Sequence, residues 1–143
     1  MNYCGTLYDM TKTGFLLVGH GSTKPYNKQL IENTARLISE KENGYIVRCG
    51  FMENSTPTIP EILEEFKKED IESMVVVPLF LARGVHIDVD IPEILGLDEG
   101  SHRGTFETKK GKVPLVFANP IGENPMLADL MIASAQQAFK EYL

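Results

Sequence analysis

The sequence predicts an α/β domain in which a parallel sheet lies between layers of helices. Four short apolar segments alternate along the chain with four segments of helical spacing. One of them, SMVVVPLF, is continuously apolar, as a strand is when helices cover both faces of a parallel sheet. The chain has 143 residues, of which 43% are hydrophobic and 24% charged, so we expect a single globular domain.

The first half of the chain predicts two strands and two helices. Residues 14–18 are a short apolar run that predicts the first strand. Residues 26–41 then carry apolar side chains at helical spacing, and Asn43-Gly44 ends that helix. Residues 45–51 predict the second strand. Thr58 and Glu61 form a capping box at the start of the second helix. We expect its buried side chains to be Ile59, Ile62, Leu63 and Phe66.

The second half predicts two more strands and two more helices. Residues 73–80 predict the third strand, and residues 91–95 a short helix that ends at a glycine. The segment 98–112 is polar, glycine-rich and without periodicity, so we expect a long loop. Residues 113–118 predict the fourth strand. Asn124 begins the last helix, whose apolar side chains we expect to face inward: Leu127, Leu130, Met131, Ala135, Ala138 and Phe139.

A three-layer, flavodoxin-like arrangement fits these elements, with helices on both faces of a four-stranded parallel sheet. Right-handed crossovers limit the topologies, and the strand order 2-1-3-4 suits a chain of this length. In that order the winding direction reverses between strands 1 and 3, and ligands bind there, at the carboxyl ends of the strands. We expect one domain over residues 14–143, preceded by an N-terminal extension of residues 1–13 that has no assigned role.

Charge and hydropathy exclude several classes of function. A net charge of −6 disfavours binding to a nucleic-acid backbone. No apolar run approaches the ~18 residues of a membrane-spanning helix. The first residues lack the pattern of a signal peptide, and the two cysteines, Cys4 and Cys49, form no disulfide framework. We therefore expect a cytoplasmic protein with free thiols, and Cys49 as a small core residue.

Two of the three histidines follow the two strands that flank the expected ligand crevice. His20 lies in the loop GHGSTK after the first strand, and His86 in the loop LARGVH after the third. Imidazoles in this place can ligate a transition metal or move protons near neutral pH. Two alternatives remain open: ordinary hydrogen-bonded histidines, or a phosphate-cradling loop around His20, although that loop lacks the usual phosphate-loop spacing. His102 lies in the polar segment, and we expect it to be solvated.

The loop after the second strand adds Glu53, Ser55 and Thr56 at the same edge of the sheet. A carboxylate there can ligate a metal or accept a proton. For the two hydroxyl groups the alternative to a role in the site is that they only cap the next helix. Lys24 and Arg83 lie in the crevice loops, where they can pair with carboxylates of a ligand. The residues by themselves thus predict an α/β domain with a two-histidine crevice.

Four segments, LLVGHGST, FMENSTPTIPE, VVVPLFLARGVHIDVDIPEIL and NPIG, cover nearly the whole chain as a set. Together they resemble the small, archaeal-type sirohydrochlorin cobalt/nickel chelatases of the class II chelatase family, the short CbiX-like chelatases. The resemblance implies a chelatase-like fold and ATP-independent insertion of Co²⁺ or Ni²⁺ into sirohydrochlorin. Cobalt insertion leads toward cobalamin, and nickel insertion toward the nickel tetrapyrrole coenzyme of methanogens.

The resemblance also implies roles for individual residues. His20 and His86 are the metal ligands and, with Glu53 as a further proton acceptor, the candidate catalytic groups. The candidate substrate-binding residues are Ser22, Thr56, Leu81, Ala82, Arg83, Gly84, Val85 and His86. No cofactor is expected to stay bound, because the metal is a substrate. Short members resemble half of the longer two-domain chelatases, which implies a homodimer with the tetrapyrrole between its subunits.

Two other functions use the same residues. Histidine also accepts Fe²⁺, so the chain can be an iron chelatase that acts on sirohydrochlorin. A non-enzymatic carrier of metal or tetrapyrrole would need the same two imidazoles. Turnover separates an enzyme from a carrier, because a carrier releases no metallated product.

Overall fold

Five strands form one mixed sheet in the computed structural model of the chain, which describes residues 12–143. Their order is β2-β1-β3-β5-β4. The strands are β1 (Thr13–Gly19), β2 (Tyr45–Phe51), β3 (Ser73–Pro78), β4 (Arg103–Thr108) and β5 (Gly111–Phe117). The predicted order of the four parallel strands is confirmed, because β2, β1, β3 and β5 are parallel neighbours. Cys4 and most of the expected N-terminal extension lie outside the described residues.

The expectation of a four-stranded, all-parallel sheet with a loop over residues 98–112 is wrong, because β4 lies in that segment and pairs antiparallel with β5. The strand buries Phe106 and Thr108 and exposes Arg103, Thr105 and Glu107. A turn at Lys109-Lys110, followed by Gly111 at φ 125°, reverses the chain. Only two side chains reach the core, so the period-2 pattern is too weak to be recognised in the sequence.

Within residues 12–143, three α-helices lie between strands and a fourth follows the last strand, which confirms the four predicted helices: α1 (Pro25–Lys41), α2 (Ile59–Phe66), α3 (Ile91–Leu95) and α4 (Pro125–Tyr142). At the start of α2, Thr58 Oγ1 accepts from the Glu61 N–H, and the Glu61 carboxylate accepts from the Thr58 N–H. This is the predicted capping box. A π-helical turn over His86–Asp90 precedes α3 directly and was not predicted.

Helices α2 and α3 cover one face of the sheet, and α1 covers part of the other. On the first face, Phe66 of α2 and Ile91 of α3 belong to the same buried cluster as Val76 of β3. On the second face, Ile31 and Ala35 of α1 pack with Leu17 and Phe51 of β1 and β2. Burial of these apolar side chains supplies most of the driving force for folding.

The second face of β3 and β5 stays partly uncovered. Val75 and Val77 of β3 are only half-buried, so the expectation that helices cover both faces of this strand is wrong. The adjacent Val116 is 43% exposed. The expectation that the apolar side chains of α4 face inward is also wrong, because no residue of α4 is buried. Helical spacing identifies an apolar face but does not say which surface that face contacts.

Candidate metal centre

The loops after β1 and β2 are joined through their backbones at the carboxyl edge of the sheet. The Met52 N–H donates to Gly19 O at 3.0 Å, and the Glu53 N–H donates to His20 O at 3.1 Å. Gly21 has φ +91°, and a Cβ atom there would lie 1.7 Å from the carbonyl oxygen of Glu53. Only glycine fits both the conformation and the close approach. The main chain therefore fixes His20 beside Glu53.

His20, Glu53 and His86 come together at this edge from three different loops. One ligand atom of each side chain lies within 4.8 Å of the other two. The two imidazole rings are 4.9 Å apart between centroids and inclined by 67°. His20 Nε2 lies 3.4 Å from Glu53 Oε1. The parallel strands β1, β2 and β3 produce this cluster, since their carboxyl ends meet at one edge of the sheet.

Hydrogen bonds fix the tautomer of both imidazoles. His20 Nδ1 lies 3.0 Å from Gly21 O, and His86 Nδ1 lies 2.8 Å from Asp90 Oδ2. Carbonyl and carboxylate oxygens can only accept, so each Nδ1 donates. In a neutral ring, Nε2 then carries the free lone pair that a metal needs. Both histidines thus have Nε2 available as a ligand.

The centre is open to solvent. The side chains of His20 and Glu53 are 46% and 53% exposed, and that of His86 is 28% exposed. The Phe80 ring, two residues after β3, lies beside the centre, with its centroid 6.2 Å from that of each imidazole. Structural zinc sites usually close four protein ligands around the ion, whereas a site with three ligands leaves coordination positions free. This open, three-ligand geometry suits a metal ion that binds and is then released.

Three of the other predicted site residues, Ser22, Thr56 and Arg83, line two clefts beside this centre. One cleft, of about 360 Å³, is on the β1–β2 side and is lined by Ser22, Lys24, Lys28 and Thr56, among others. The second, of about 400 Å³, lies on the β5 side, and its lining includes Arg83. Each cleft therefore has at least one cation beside the candidate metal ligands.

The loop of residues 81–85 projects from the edge of the sheet. Leu81, Ala82, Gly84 and Val85 are all exposed, although two of them are apolar and large. Arg83 is exposed as well, and its Nε donates to Asp88 Oδ1 at 3.0 Å. The loop is anchored at its base, where the Gly122 N–H donates to Leu81 O at 2.8 Å. It presents an apolar surface and a cation next to His86.

Comparisons with known proteins identify the family of this chain. The model of a protein family named CbiX matches residues 14–138. The chain belongs to the CbiX family. The family resemblance inferred from the sequence motifs is thereby confirmed.

Relatives of this CbiX chain include two archaeal proteins named sirohydrochlorin cobaltochelatase. The one from Methanosarcina barkeri is 46% identical over 127 residues, which are 89% of this chain and 97% of the relative. The one from Methanococcoides burtonii is 41% identical over 126 residues, which are 88% of this chain and 96% of the relative. The chain thus spans nearly the full length of both.

Two solved structures share the fold of this CbiX chain. One is a CbiX protein from Marinobacter aquaeolei, with a TM-score of 0.65 and 26% identity over 90% of this chain and 98% of the other. The second is a multi-domain protein from Deinococcus radiodurans with structural similarity to chelatases. It has a TM-score of 0.67 and 22% identity, and the match covers 93% of this chain and 30% of the other. Among residues 12–143, no helix is long and apolar enough to cross a bilayer.

Four side chains of this CbiX chain, those of Ser55, Thr58, His102 and Cys49, have local structural surroundings outside the metal centre. Thr58, rather than Ser55 or Thr56, caps α2, and Ser55 Oγ instead donates to Ser22 O at 3.3 Å. His102 is exposed, as expected, and its ring stacks on Phe117 at a centroid distance of 5.6 Å. Cys49 is free and half-buried, and burial raises the pKa of its thiol, as expected of a packed residue rather than a reactive one.

Sequence reasoning missed Asp90. Its carboxylate accepts from His86 Nδ1, and the two residues lie four apart in the π-helical turn. Residues at this spacing face each other on a helix, so the pattern His-x-x-x-Asp was the available signal. A carboxylate on the far nitrogen of a ligating histidine orients the ring and increases its basicity as a ligand. Asp90 is therefore a positioning residue for His86.

We predict that Asp90→Asn weakens Co²⁺ binding by roughly 10- to 100-fold, the range found when such outer partners of a metal-ligating histidine are changed. The measurement is a Co²⁺ titration followed by visible absorption. Asp88→Asn is the control, because Asp88 pairs with Arg83 instead of a histidine. Equal Co²⁺ affinities of the Asp90 variant and the unmodified chain would show that Asp90 does not support metal binding.

Proposed function

We propose that this chain is a sirohydrochlorin chelatase that inserts a divalent metal, Co²⁺ or Ni²⁺, without ATP. The observation that carries the proposal is the convergence of His20, Glu53 and His86 within 4.8 Å on an open edge of the sheet. The names of the archaeal relatives support sirohydrochlorin as the substrate. The product would enter cobalamin synthesis with cobalt, or the synthesis of a methanogen nickel coenzyme with nickel. The free thiol of Cys49 would fit a cytoplasmic location.

Metal insertion requires a metal that is held loosely and a base for the two pyrrole protons. The Nε2 atoms of His20 and His86 provide two neutral ligands, which leaves positions for water and then for pyrrole nitrogens. Glu53, 3.4 Å from His20, can act as a third ligand at first and as a proton acceptor when the metal leaves. Solvent exposure lets the protons pass on to water.

The tetrapyrrole has several carboxylates, and the chain has a net charge of −6, so local cations must bind this substrate. Arg83 in one cleft and Lys24 and Lys28 in the other lie on opposite sides of the metal centre. A flat ring placed over the centre would bring its peripheral carboxylates toward both clefts. The exposed side chains of Leu81 and Val85 would contact its apolar face.

One chain covers only one side of such a ring, because its metal centre lies on an open edge. We therefore propose that the active form is a homodimer in which a second copy covers the other side. The chain spans nearly the whole length of its cobaltochelatase relatives, so a second domain is not needed to explain their function.

The test is an absorption assay in which sirohydrochlorin is mixed with Co²⁺, Ni²⁺ or Fe²⁺ and a catalytic amount of the protein. We expect many turnovers with Co²⁺ or Ni²⁺, each converting the metal-free spectrum to that of the metallated ring. Binding without turnover would identify a carrier. A clear preference for Fe²⁺ would identify an iron chelatase, which the histidine ligands also allow.

We predict that Arg83→Ala raises the KM for sirohydrochlorin by roughly 10- to 150-fold with a smaller change in kcat. The reason is the loss of a charge-assisted hydrogen bond, worth about 1.5–3 kcal/mol, to a substrate carboxylate. Steady-state kinetics with Co²⁺ measures this. Arg36→Ala is the control, since Arg36 lies on α1 and pairs with Glu40. An unchanged KM in the Arg83 variant would show that Arg83 does not bind the tetrapyrrole.

A further inference from the structure

The peptide unit that joins His20 to Gly21 is held from both of its sides. Its carbonyl oxygen, His20 O, accepts from the Glu53 N–H at 3.1 Å. Its N–H, that of Gly21, donates to Asn27 Oδ1 of α1 at 2.9 Å. The next carbonyl oxygen, Gly21 O, lies 3.0 Å from His20 Nδ1 and accepts from it. A chain of contacts therefore runs from the Asn27 side chain through Gly21 to the imidazole of His20.

Asn27 does not use its side-chain oxygen for its own helix. It is the third residue of α1, where the side chain of a capping box accepts from the N–H of the residue that precedes the helix. Here that N–H, of Lys24, donates to Ser22 Oγ at 3.2 Å, and Lys24 supplies no side-chain cap within residues 12–143. The oxygen of Asn27 serves the loop of His20 instead. Local rules of this kind are commonly broken at functional sites.

The bond from Asn27 fixes a loop that glycine would otherwise leave free to rearrange. Gly21 is buried, so its N–H would lack a partner without the Asn27 oxygen, and a buried donor without a partner is costly. Rotation of the peptide units around Gly21 would relieve that cost, because glycine adopts many backbone conformations. The same rotation would take Gly21 O away from His20 Nδ1. The imidazole would then lose the bond that sets its orientation and its tautomer.

We propose that Asn27 is a positioning residue for the metal centre: its amide oxygen holds the backbone of Gly21 so that His20 presents Nε2 to the metal. The two histidines thus differ in their support. A carboxylate, Asp90, contacts the ring of His86 directly, whereas a neutral amide from a separate helix acts on His20 through the main chain. This assignment deepens the proposed function and rests on it for the role of His20 as a metal ligand.

The position of Asn27 predicts which substrate it affects. Ser22, Lys24 and Lys28 line the cleft on the β1–β2 side, but Asn27 lines neither of the two clefts described beside the metal centre. Loss of its oxygen should therefore weaken the binding of the metal and leave the binding of the tetrapyrrole unchanged.

The test is a Co²⁺ titration of the chain alone, followed by visible absorption. Asn27→Leu removes the acceptor oxygen, and Asn27→Ser places a hydroxyl group too far from Gly21 and keeps the test open if the leucine variant does not fold. We expect both to weaken Co²⁺ binding by roughly tenfold, the lower end of the range for outer partners of a ligating histidine. Asn27→Asp keeps an acceptor oxygen and should restore most of the affinity. Asn33→Leu is the matched control, because Asn33 is exposed on the same helix.

A double-mutant cycle separates positioning from a general loss of stability. If Asn27 acts through His20, Asn27→Leu should weaken Co²⁺ binding further in a His86→Ala chain but not in a His20→Ala chain. Equal losses in both backgrounds would overturn the proposal. So would a lower urea midpoint with an unchanged Co²⁺ affinity, or an Asn27→Asp chain that binds Co²⁺ as weakly as the Asn27→Leu chain.

Insertion kinetics separate this proposal from the chelatase function. We expect Asn27→Leu to raise the KM for Co²⁺ and to leave the KM for sirohydrochlorin unchanged, whereas a rise confined to the KM for sirohydrochlorin would overturn the positioning role. Co²⁺ binding that depends on Asn27, in a natural chain without turnover, would contradict only the chelatase function. Normal turnover with Co²⁺ binding that is indifferent to Asn27 would contradict only the positioning role.

Discussion

Alanine in place of His20 or of His86 lowers the rate of metal insertion by at least about a hundredfold and leaves the fold intact. Each substitution removes one of the two Nε2 ligands, so the metal is left with a single imidazole and Glu53. Both side chains are partly exposed, and little packing is lost with either. The measurement is the initial rate with sirohydrochlorin and Co²⁺, together with thermal unfolding of each variant.

His102→Ala is the control for these variants, because its ring stacks on Phe117 outside the metal centre. We expect its insertion rate to stay within about twofold of the natural chain, by the usual small effect of surface substitutions. If the His20 and His86 variants also inserted metal at the natural rate, the two-histidine centre would not be the site of insertion.

Gly21→Ala is expected to impair both stability and insertion. The new Cβ would lie 1.7 Å from the Glu53 carbonyl oxygen, and φ +91° is a conformation that side chains rarely adopt. The loops after β1 and β2 would have to separate, which breaks the bond from the Glu53 N–H to His20 O. The strain is worth about 1–3 kcal/mol, so the urea midpoint should fall, and the displaced His20 should slow insertion.

The stability control for Gly21 is Gly84→Ala. Gly84 lies at the same edge of the sheet, but a Cβ there meets no atom within 4 Å. Its urea midpoint should therefore equal that of the natural chain. A Gly21 variant with an unchanged midpoint and an unchanged rate would show that the close approach of the two loops is not required.

The sequence predicted best the elements that follow a simple alternation of apolar strands and helices. Four parallel strands were predicted because each is a short apolar run between helices, and parallel strands bring their carboxyl ends to one edge. His20 and Glu53 follow β1 and β2 by one and two residues, and His86 lies in the segment that follows β3, so their meeting at one edge could be expected. That they act on a metal remains a prediction, which the histidine variants test.

The features that the sequence did not predict depend on contacts rather than on local pattern. Strand β4 is mostly polar and pairs with the neighbouring β5, so only Phe106 and Thr108 mark it as part of the sheet. The π-helical turn that joins Asp90 to His86 has no pattern that separates it from an ordinary helix start. The apolar residues of α4 were recognised, but helical spacing alone does not say that they stay exposed in the folded chain.

Strand β4 also affects how copies of this chain can associate. Among the strands of residues 12–143 it is the outermost, with no strand on one side, and an unpaired strand can recruit further strands into fibres. Its exposed residues include Arg103 and Glu107, and the turn that follows carries Lys109 and Lys110. Charges on a short, polar strand discourage such growth. Because growth along this side is disfavoured, concentrated solutions should contain small closed assemblies and remain clear.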